Sequence, residues 1–278
     1  MKTQNTIKSI GCAIAASAAL VATTQAGEVM PMAAAPVADC PWGLGLEALY
    51  MKAHGVDGRY AEQDYEFAWR ADLSYKQADN LGIRFTYFWF EGSDDTADFT
   101  DDFYTGSEYS DVDVQYGDLE FFDTFELGAW QGEYSAGIRW GELNSEYGYT
   151  ETDGFGIYEE ARQSEFSGWG PTFGLELVRP IGSNFSVYAG VRASWLFGDN
   201  DVDEATVGGE SIRNEYEDSY SSSESLFIAE GTLGLQYDYL AFRGCPSYVR
   251  LGAEAQNWSA SGEDVSLFGG SLRFGFGF

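Results

Sequence analysis

The chain has 278 residues, of which 45 are acidic and 15 are basic, so its formal net charge is −30. This charge opposes binding to nucleic acid or to an anionic membrane surface, because both repel an acidic protein. It favours cations as partners, or a protein that lives in a salty environment. Aromatic residues make up 17% and hydrophobic residues 44% of the chain, which is too much core-forming side chain for a disordered acidic protein.

The first residues predict export. A basic start is followed by the apolar stretch 10–22, which ends in small residues that fit signal-peptidase cleavage after Ala26. The apolar stretch is shorter than the ~20 residues that a transmembrane helix needs. We therefore predict a cleaved signal peptide at 1–26 and a short periplasmic lead at 27–41.

From residue 42 onward, apolar and polar residues alternate with the period of a β-strand that has one apolar face. In 184–197, for example, Val187 and Trp195 fall on one face and Arg192 on the other. Ten segments show this alternation, and most reach the ~9–11 residues of a tilted membrane strand. The predicted strands are 42–52, 65–76, 81–90, 116–130, 132–143, 165–178, 184–197, 223–239, 246–258 and 265–278.

The predicted connections alternate in length. The long ones are 53–64, 91–115, 144–164 and 198–222, the short ones are 77–80, Gln131, 179–183 and 240–245, and 259–264 is intermediate. Short periplasmic turns that alternate with long outer loops are typical of bacterial outer-membrane barrels, whereas a soluble β-sandwich has no reason to place every long connection at one end. We predict an all-β fold at 42–278, a transmembrane antiparallel up-and-down β-barrel of about ten strands, with eight or twelve as alternatives.

Charged residues of these strands fall on the face opposite the apolar one, which is the lumen in a barrel. They indicate either arginine–carboxylate pairs that fill the interior or a charged, wet pore that selects solutes. Because about eight strands leave room only for side chains and about 16–18 leave an aqueous channel, ten strands favour at most a narrow pore. The predicted lumen-lining residues are Arg70, Arg84, Arg139, Arg192, Arg250, Arg273, Glu47, Asp72, Glu126, Glu176, Glu230 and Glu254.

Two cysteines remain in the predicted mature chain, Cys40 and Cys245. Cys40 precedes the first predicted strand and Cys245 lies in the last short turn, so both belong to the periplasmic end. In an oxidising compartment an even pair indicates a disulfide. We predict a Cys40–Cys245 bridge, with two unpaired thiols as the alternative.

The predicted outer loops 91–114 and 198–224 carry much of the negative charge. They are either solvated loops or binding sites for Ca²⁺ or Mg²⁺, which prefer hard oxygen ligands. The second loop has part of the spacing of a calcium-binding loop, although Glu204 stands where that loop needs glycine. The predicted weak cation site comprises Asp199, Asp201, Asp203 and Glu210. No other cofactor is expected.

His54 is the sole histidine of the chain, and it lies near Asp57 in the first predicted outer loop. Most barrel hydrolases need a histidine as general base. No serine occupies a nucleophile motif such as G-x-S-x-G. These residues favour a solvated loop histidine over a catalytic one, so we predict that the protein is not an enzyme.

Two stretches, SGWGPTFGLELVRPIGSNFSVYAGVRASWLFGD and LGLQYDYL with YVRLGAEAQNWSA, resemble the Legionella-type pore-forming major outer-membrane protein family. The segment from Trp42 to Tyr50, with GLEALY, is similar to the family's first strand. The resemblance covers mainly 165–278, with a fainter match at 42–90. It implies an exported membrane barrel with a pore or porin-like role, and it supplies no catalytic residues.

Taken together, the residues and the resemblance predict a porin-like barrel, a narrow pore for small solutes with a cation bias from its acidic loops. The alternative is a non-conducting structural or adhesin-type barrel that presents those loops. Expected partners are outer-membrane lipid, lipopolysaccharide and the outer-membrane assembly machinery. By resemblance to this class of barrels, that machinery reads a terminal phenylalanine on the last strand. The predicted assembly signal is Phe274, Phe276 and Phe278.

Overall fold

The computed structural model describes most of the chain from Cys40 to Phe278. The described residues are 40–55, 64–76, 81–93, 97–100, 105–152, 156–209, 214–241, 244–260 and 264–278. The predicted signal peptide and all but the last two residues of the predicted lead lie outside them. Within this part of the chain, no helix is long and apolar enough to cross a membrane.

The described residues form eleven antiparallel strands, and ten of these strands close into a ring. They are β1 Trp42–His54, β2 Glu66–Lys76, β3 Gly82–Ser93, β4 Ala97–Thr100, β5 Thr105–Leu127, β6 Trp130–Thr152, β7 Ile157–Pro180, β8 Phe185–Gly209, β9 Asn214–Leu240, β10 Pro246–Ser259 and β11 Asp264–Gly277. The order around the sheet is β3-β2-β1-β11-β10-β9-β8-β7-β6-β5, and pairing of β3 with β5 completes the ring. The short β4 pairs with β5 alone. The predicted all-β barrel is confirmed.

The first and last strands of the chain form one seam of the ring. Leu46 lies opposite Phe274 in this pairing, and the register continues from Gly43 to His54. At its end the Trp42 amide donates to the Phe278 carbonyl at 3.2 Å, and the Phe278 amide donates to the Trp42 carbonyl at 2.9 Å. The seam is therefore hydrogen-bonded up to the final residue.

Five strands are much longer than the sequence predicts. β5 to β9 have 23 to 27 residues, whereas β1 to β3, β10 and β11 have 11 to 14. Most of the predicted loops 91–115, 144–164 and 198–222 is thus strand, which corrects their assignment as loops. Polar outward residues hid these extensions, because above the lipid the outward face of a strand need not be apolar. The turn predicted at Gln131 falls instead at Gly128, where φ is +62°.

The outward face carries an apolar band between two sets of aromatic side chains, as in outer-membrane barrels. The band includes exposed Leu119, Ile138 and Leu251. The set near the short turns, which are periplasmic in such barrels, comprises Trp42, Tyr75, Phe185, Tyr237 and Phe278. The opposite set, the outer aromatic ring, comprises Tyr50, Phe67, Trp140, Trp169, Trp195, Phe197 and Phe268. Strands β5 to β9 continue well beyond this ring.

Those continuations form the outer wall, defined as 105–115 of β5, 142–152 of β6, 157–167 of β7, 199–209 of β8 and 214–224 of β9. The strand pairing of β5 to β9 continues through the wall without a change of register. Among the described ring strands, β5 to β9 extend through the whole wall, and β3 lies beside its lower part as far as Ser93, opposite Asp111. The described barrel is therefore taller on the side of β5 to β9 than on the side of β1, β2 and β11.

Cys40 and Cys245 form the predicted disulfide, with their Cα atoms 6.0 Å apart. Cys40 precedes β1 and Cys245 precedes β10, so the bridge crosses the end of the strand between them, β11. A Cβ atom on Gly277 of β11 would lie 3.5 Å from the Cβ of Cys245 and 3.6 Å from that of Cys40, and only 2.8 Å from the Pro246 carbonyl oxygen. Glycine at this position therefore leaves room for the bridge.

Reduction of the disulfide should destabilise the barrel. The bridge closes a chain separation of 205 residues, for which the chain-entropy model gives up to about 5 kcal/mol. Urea unfolding of the folded protein with and without reductant measures the loss. The Cys40→Ser/Cys245→Ser variant should match the reduced protein and should not respond to reductant. Equal unfolding midpoints for oxidised and reduced protein would contradict the expectation.

Candidate functional site

The barrel interior contains eleven of the twelve residues predicted to line the lumen, and each forms an ion pair there. Glu126 is the exception, because it is exposed beside the turn at the periplasmic end of β5. The sequence prediction missed Asp118, Glu120 and Glu133, which join the same network. Alternation along β5 places Asp118 and Glu120 on the inner face, so strand parity could have found both.

Arg70 of β2 holds four strands together across the lumen. Its Nη1 donates to Glu47 Oε2 and Glu254 Oε2, both at 2.9 Å, and its Nη2 donates to Glu254 Oε1. Nε and Nη2 also donate to the Tyr116 hydroxyl, at 3.2 and 3.0 Å. That hydroxyl donates in turn to Glu230 Oε2 at 3.3 Å. The guanidinium is therefore surrounded by acceptors from β1, β5 and β10.

Arg139 of β6 forms the second centre and is fully buried. Its Nε and Nη2 donate to the two oxygens of Asp118, each at 2.7 Å, and its Nη1 donates to Glu230 of β9. The guanidinium carbon also lies 3.7 Å from the centre of the Tyr116 ring. Such bidentate, charge-assisted bonds fix position as well as charge. Through Glu230 and Tyr116, this centre connects with that of Arg70.

The remaining four arginines extend the network around the interior wall. Arg192 pairs with Asp118 and Glu120, and Arg84 pairs with Glu120 and Glu133. Arg273 pairs with Asp72 and Glu47, and Arg250 holds Glu176 with two bonds of 2.8 and 2.6 Å. Six guanidinium groups thus face eight carboxylates.

A cavity of about 110 Å³ lies within this network. Its lining includes Glu47, Arg84, Glu176, Arg192 and Arg250. A polar cavity of this size holds several water molecules, since one water needs about 10–15 Å³ of such volume. The interior is therefore charged at this level and has room for water.

An apolar layer lies inside the barrel on the outer side of the network. Both β1 and β10 run from the short turns toward the outer side. Met51 comes after Glu47 on β1, and Trp258 comes after Glu254 on β10, so the apolar layer lies on the outer side of the ionic network. Trp258 is fully buried, and its indole N–H donates to Gln256 at 3.1 Å. The members of this layer are Leu49, Met51, Ala53, Ala68, Phe88, Phe90, Val112, Val114, Tyr116, Leu143, Phe166, Leu196, Leu226, Ile228, Trp258, Val265 and Leu267.

The sequence prediction missed this layer because it assigned every inner position to a polar lumen. Its signal is the loss of alternation in short apolar runs, FTYFWF in β3, SWLFG in β8 and SLFIA in β9. Strands that are buried on both faces show such continuous runs. In β3, the lipid-facing residues alternate with Phe88 and Phe90, both fully buried inside.

The outer wall is strongly acidic. Arg162 is its one basic residue, and its Nε lies 3.4 Å from Glu204. The acidic residues with described side chains are Glu108, Asp111, Asp113, Glu142, Glu146, Glu151, Glu159, Glu160, Glu165, Asp199, Asp201, Asp203, Glu204, Glu217, Asp218 and Glu224. Both faces of the wall carry these groups.

The predicted cation-binding spacing does not form a calcium loop. Asp199, Asp201 and Asp203 lie on β8 and point outward, while Glu210 lies outside the described residues. Alternate residues of a strand are ~6.6 Å apart along its axis, so three such carboxylates cannot surround one ion as a loop does. Within the described ranges, no group of three or more His, Cys, Asp or Glu residues could hold a metal ion.

Tyrosines of the outer wall bond to acidic residues two positions further along the same strand. The Tyr158 hydroxyl donates to Glu160 at 3.0 Å, and the Tyr216 hydroxyl donates to Asp218 at 3.2 Å. The hydrogen bond to Asp218, together with that negative charge, raises the pKa of Tyr216 above its usual value. Tyr149 and Glu151 on β6 form a third such pair. The pKa of Tyr158 is raised by its bond to Glu160 in the same way, so the Tyr158 and Tyr216 hydroxyls act as donors at neutral pH.

The candidate catalytic histidine does not belong to the buried ionic network. His54 is the last residue of β1 and is exposed, and Asp57 lies outside the described residues.

Replacing Arg139 by methionine should strongly destabilise the barrel, because it leaves Asp118 and Glu230 without their main cation. Removing one partner of a buried pair costs about 3–5 kcal/mol. Urea unfolding in lipid vesicles measures this loss. Arg162→Met is the matched control in the outer wall, where the side chain is 33% exposed, and should cost less than about 1 kcal/mol. Equal costs for the two variants would contradict the role of the network.

Several solved structures are similar to this chain, and the first of them supports the fold. The outer membrane protease OmpT from Escherichia coli superposes with a TM-score of 0.50 at 9% identity, covering 92% of this chain and 100% of that chain. A major outer membrane protein from Thermus thermophilus gives a TM-score of 0.37 at 13% identity, covering 84% and 99%. CarO from Acinetobacter baumannii gives 0.32 at 12% identity, covering 84% and 97%.

Comparison with sequence families identifies the group to which the chain is related. No curated protein sequence matches it. The family model described as Legionella pneumophila major outer membrane protein precursor matches residues 34–266. This match includes most of the barrel and most of the interior network, as well as the stretches that carry the resemblance in the sequence. The chain therefore belongs to the Legionella major outer membrane protein family and is an outer-membrane β-barrel.

Proposed function

We propose that the protein is a closed barrel that conducts no solute and displays its outer wall at the cell surface. The observation that carries this proposal is the apolar layer. Leu226, Ile228 and Trp258 are fully buried within the ring. Phe88 and Phe90, from the other side of the ring, belong to the same buried cluster. The Tyr116 ring lies 4.9 Å from the Phe88 ring and 6.1 Å from the Trp258 ring. Close-packed side chains leave no continuous path for a hydrated solute.

The energetics of permeation support the same proposal. An ion that crosses the apolar layer must lose its hydration shell with no polar group to replace it, and moving a charge into such surroundings is very costly. Hydrophobic constrictions close channels for this reason. Below the layer, the arginines are already held by carboxylates and by Tyr116, so they are not free to guide solutes.

A narrow, cation-selective pore is the second candidate. The cavity of about 110 Å³ and the excess of carboxylates over guanidinium groups around it favour this candidate. Conduction would require the apolar layer to move aside. The acidic wall would then attract cations to the outer mouth.

We also propose that the barrel has no catalytic role and no resident cofactor. The exposed position of His54 at the end of β1 supports the first point. The absence of a resident cofactor is supported by the outward carboxylates of β8, which are spaced along a strand and do not surround one position. We propose that the wall attracts Ca²⁺ or Mg²⁺ through its overall charge and not at a coordinated site.

Planar-bilayer recording should show no discrete conductance steps for the folded wild-type protein. Trp258→Ala combined with Leu226→Ala removes two members of the apolar layer and should produce steps that favour cations. Leu251→Ala, on the lipid-facing side of β10, is the control and should stay silent. Steps from the wild-type protein would refute the closed barrel and support the second candidate.

We propose that residues 1–26 are a cleaved signal peptide and that the assembly machinery recognises Phe274, Phe276 and Phe278. Deleting Phe278 should impair insertion, because it removes the terminal ring and the hydrogen bonds with Trp42. Phe278→Ala keeps the backbone bonds, and should impair insertion as well if the ring is the signal. The measurement is the heat-modifiable gel mobility of the membrane fraction. Leu272→Ala on the same face is the control, and normal assembly of both Phe278 variants would refute the signal.

A further inference from the structure

Strand β9 is paired along its whole length on one side but only along half of it on the other. β8 pairs with β9 from Asn214 to Tyr237. On the opposite side, β10 pairs with β9 only between Phe227 and Leu240. In the part of the chain that the structure describes, no strand lies along the second edge of 214–226.

The opposite edge of the outer wall is covered. β3 pairs with β5 from Phe122 to Asp111, and β4 pairs with β5 from Glu108 to Thr105. The chain thus provides a short strand, β4, for one edge of the wall and none, within the described ranges, for the other. The β9 edge, defined as residues 214–226, is the open edge of the wall.

The β9 edge is long and accessible. At ~3.3 Å per residue it extends for ~40 Å, beyond the outer aromatic ring and therefore in water. The side chains from Tyr216 to Ser221 are all exposed. An exposed strand edge of this kind presents unpaired N–H and C=O groups that can accept an additional strand.

The charge of the β9 edge defines which strand it can accept. Glu217, Asp218 and Glu224 lie on it, and no lysine or arginine occurs between residues 214 and 240. A second copy of this chain would place these carboxylates opposite each other, which destabilises a strand pair. A cationic strand would instead place opposite charges across the new pairing.

The two faces of the β9 edge carry different side chains, which suits an added strand whose own side chains alternate between the two faces. By strand parity, Tyr216 and Tyr220 lie on one face with Asp218, and Ser219 and Ser221 lie on the other with Glu217. The exposed fractions of the two tyrosines are 62% and 45%. Aromatic faces attract lysine and arginine. Serine side chains are small, so they leave space for the alternate residues of an added strand.

We propose that the β9 edge binds an extended, cationic segment of another protein as an additional β-strand of the outer wall. The backbone ladder would supply affinity, and the carboxylates and tyrosines would select basic side chains. This proposal deepens the display function above and rests on it, because the edge must be exposed at the cell surface.

The test uses the full-length protein, folded in lipid nanodiscs, and a fluorescent peptide of about ten residues in which lysine and threonine alternate. Fluorescence anisotropy should show saturable binding of this peptide. The same peptide with glutamate in place of lysine should not bind. A third peptide keeps the lysines but is N-methylated along its backbone, so it lacks the donors for the ladder, and its affinity should be at least about tenfold lower.

Two triple variants with equal changes of charge locate the site. Glu217→Lys/Asp218→Lys/Glu224→Lys should lose the lysine peptide and gain the glutamate peptide. The control variant is Glu91→Lys/Asp111→Lys/Asp113→Lys, whose three positions lie on β3 and β5 at the covered edge. It should keep at least about half of the wild-type affinity for the lysine peptide, because long-range charge is screened.

Three results would overturn the proposal. They are absence of binding to the lysine peptide, equal affinity for its N-methylated form, and equal losses in the two triple variants. Concentration-dependent dimerisation through the β9 edge without peptide would assign it to a second copy instead. Conductance of the wild-type protein tests the closed barrel separately, so the failure of one proposal is distinguishable from that of the other.

Discussion

Six guanidinium groups inside a ring of ten strands are the constraint on which the rest of this structure depends. A ring of this size brings all inner faces within side-chain reach, so whatever points inward must be satisfied there. Arg70 and Arg139 achieve this by joining strands that are distant in sequence, with Glu254 lying 184 residues from Arg70. The network can be complete only when the ring has closed, which couples its formation to that of the seam between β1 and β11.

The interior of the barrel has two levels, one above the other along the barrel axis. The charged level around Arg70 lies toward the short turns, and the apolar layer around Trp258 lies beyond it. The two levels meet at Tyr116, whose ring packs on Phe88 at 4.9 Å and whose hydroxyl accepts from Arg70. One amphipathic side chain thus joins an apolar layer to an ionic one without leaving a polar atom unsatisfied.

Sequence alternation predicts the parts of the fold that face lipid and misses those that do not. The bounds of β1, β2, β10 and β11 agree with prediction within about two residues, because lipid requires every second side chain to be apolar. In the outer wall, water accepts residues such as Asp201 on the outward face, and the pattern disappears. The disulfide followed from topology, whereas the apolar layer did not, since inner residues such as Leu196 and Ile228 were expected to be polar.

Because the strands differ in height, the part of the barrel outside the membrane has two different sides. Among the described residues, β5 to β9 form the tall part above the outer aromatic ring, with the end of β3 and the short β4 beside β5. A neighbour that approaches from the side of β1, β2 and β11 meets a low rim and the concave surface behind it, with Tyr158 and Tyr216 exposed. From the opposite side it meets a tall negative sheet. Rotation of this barrel about the membrane normal therefore changes what a neighbouring molecule encounters.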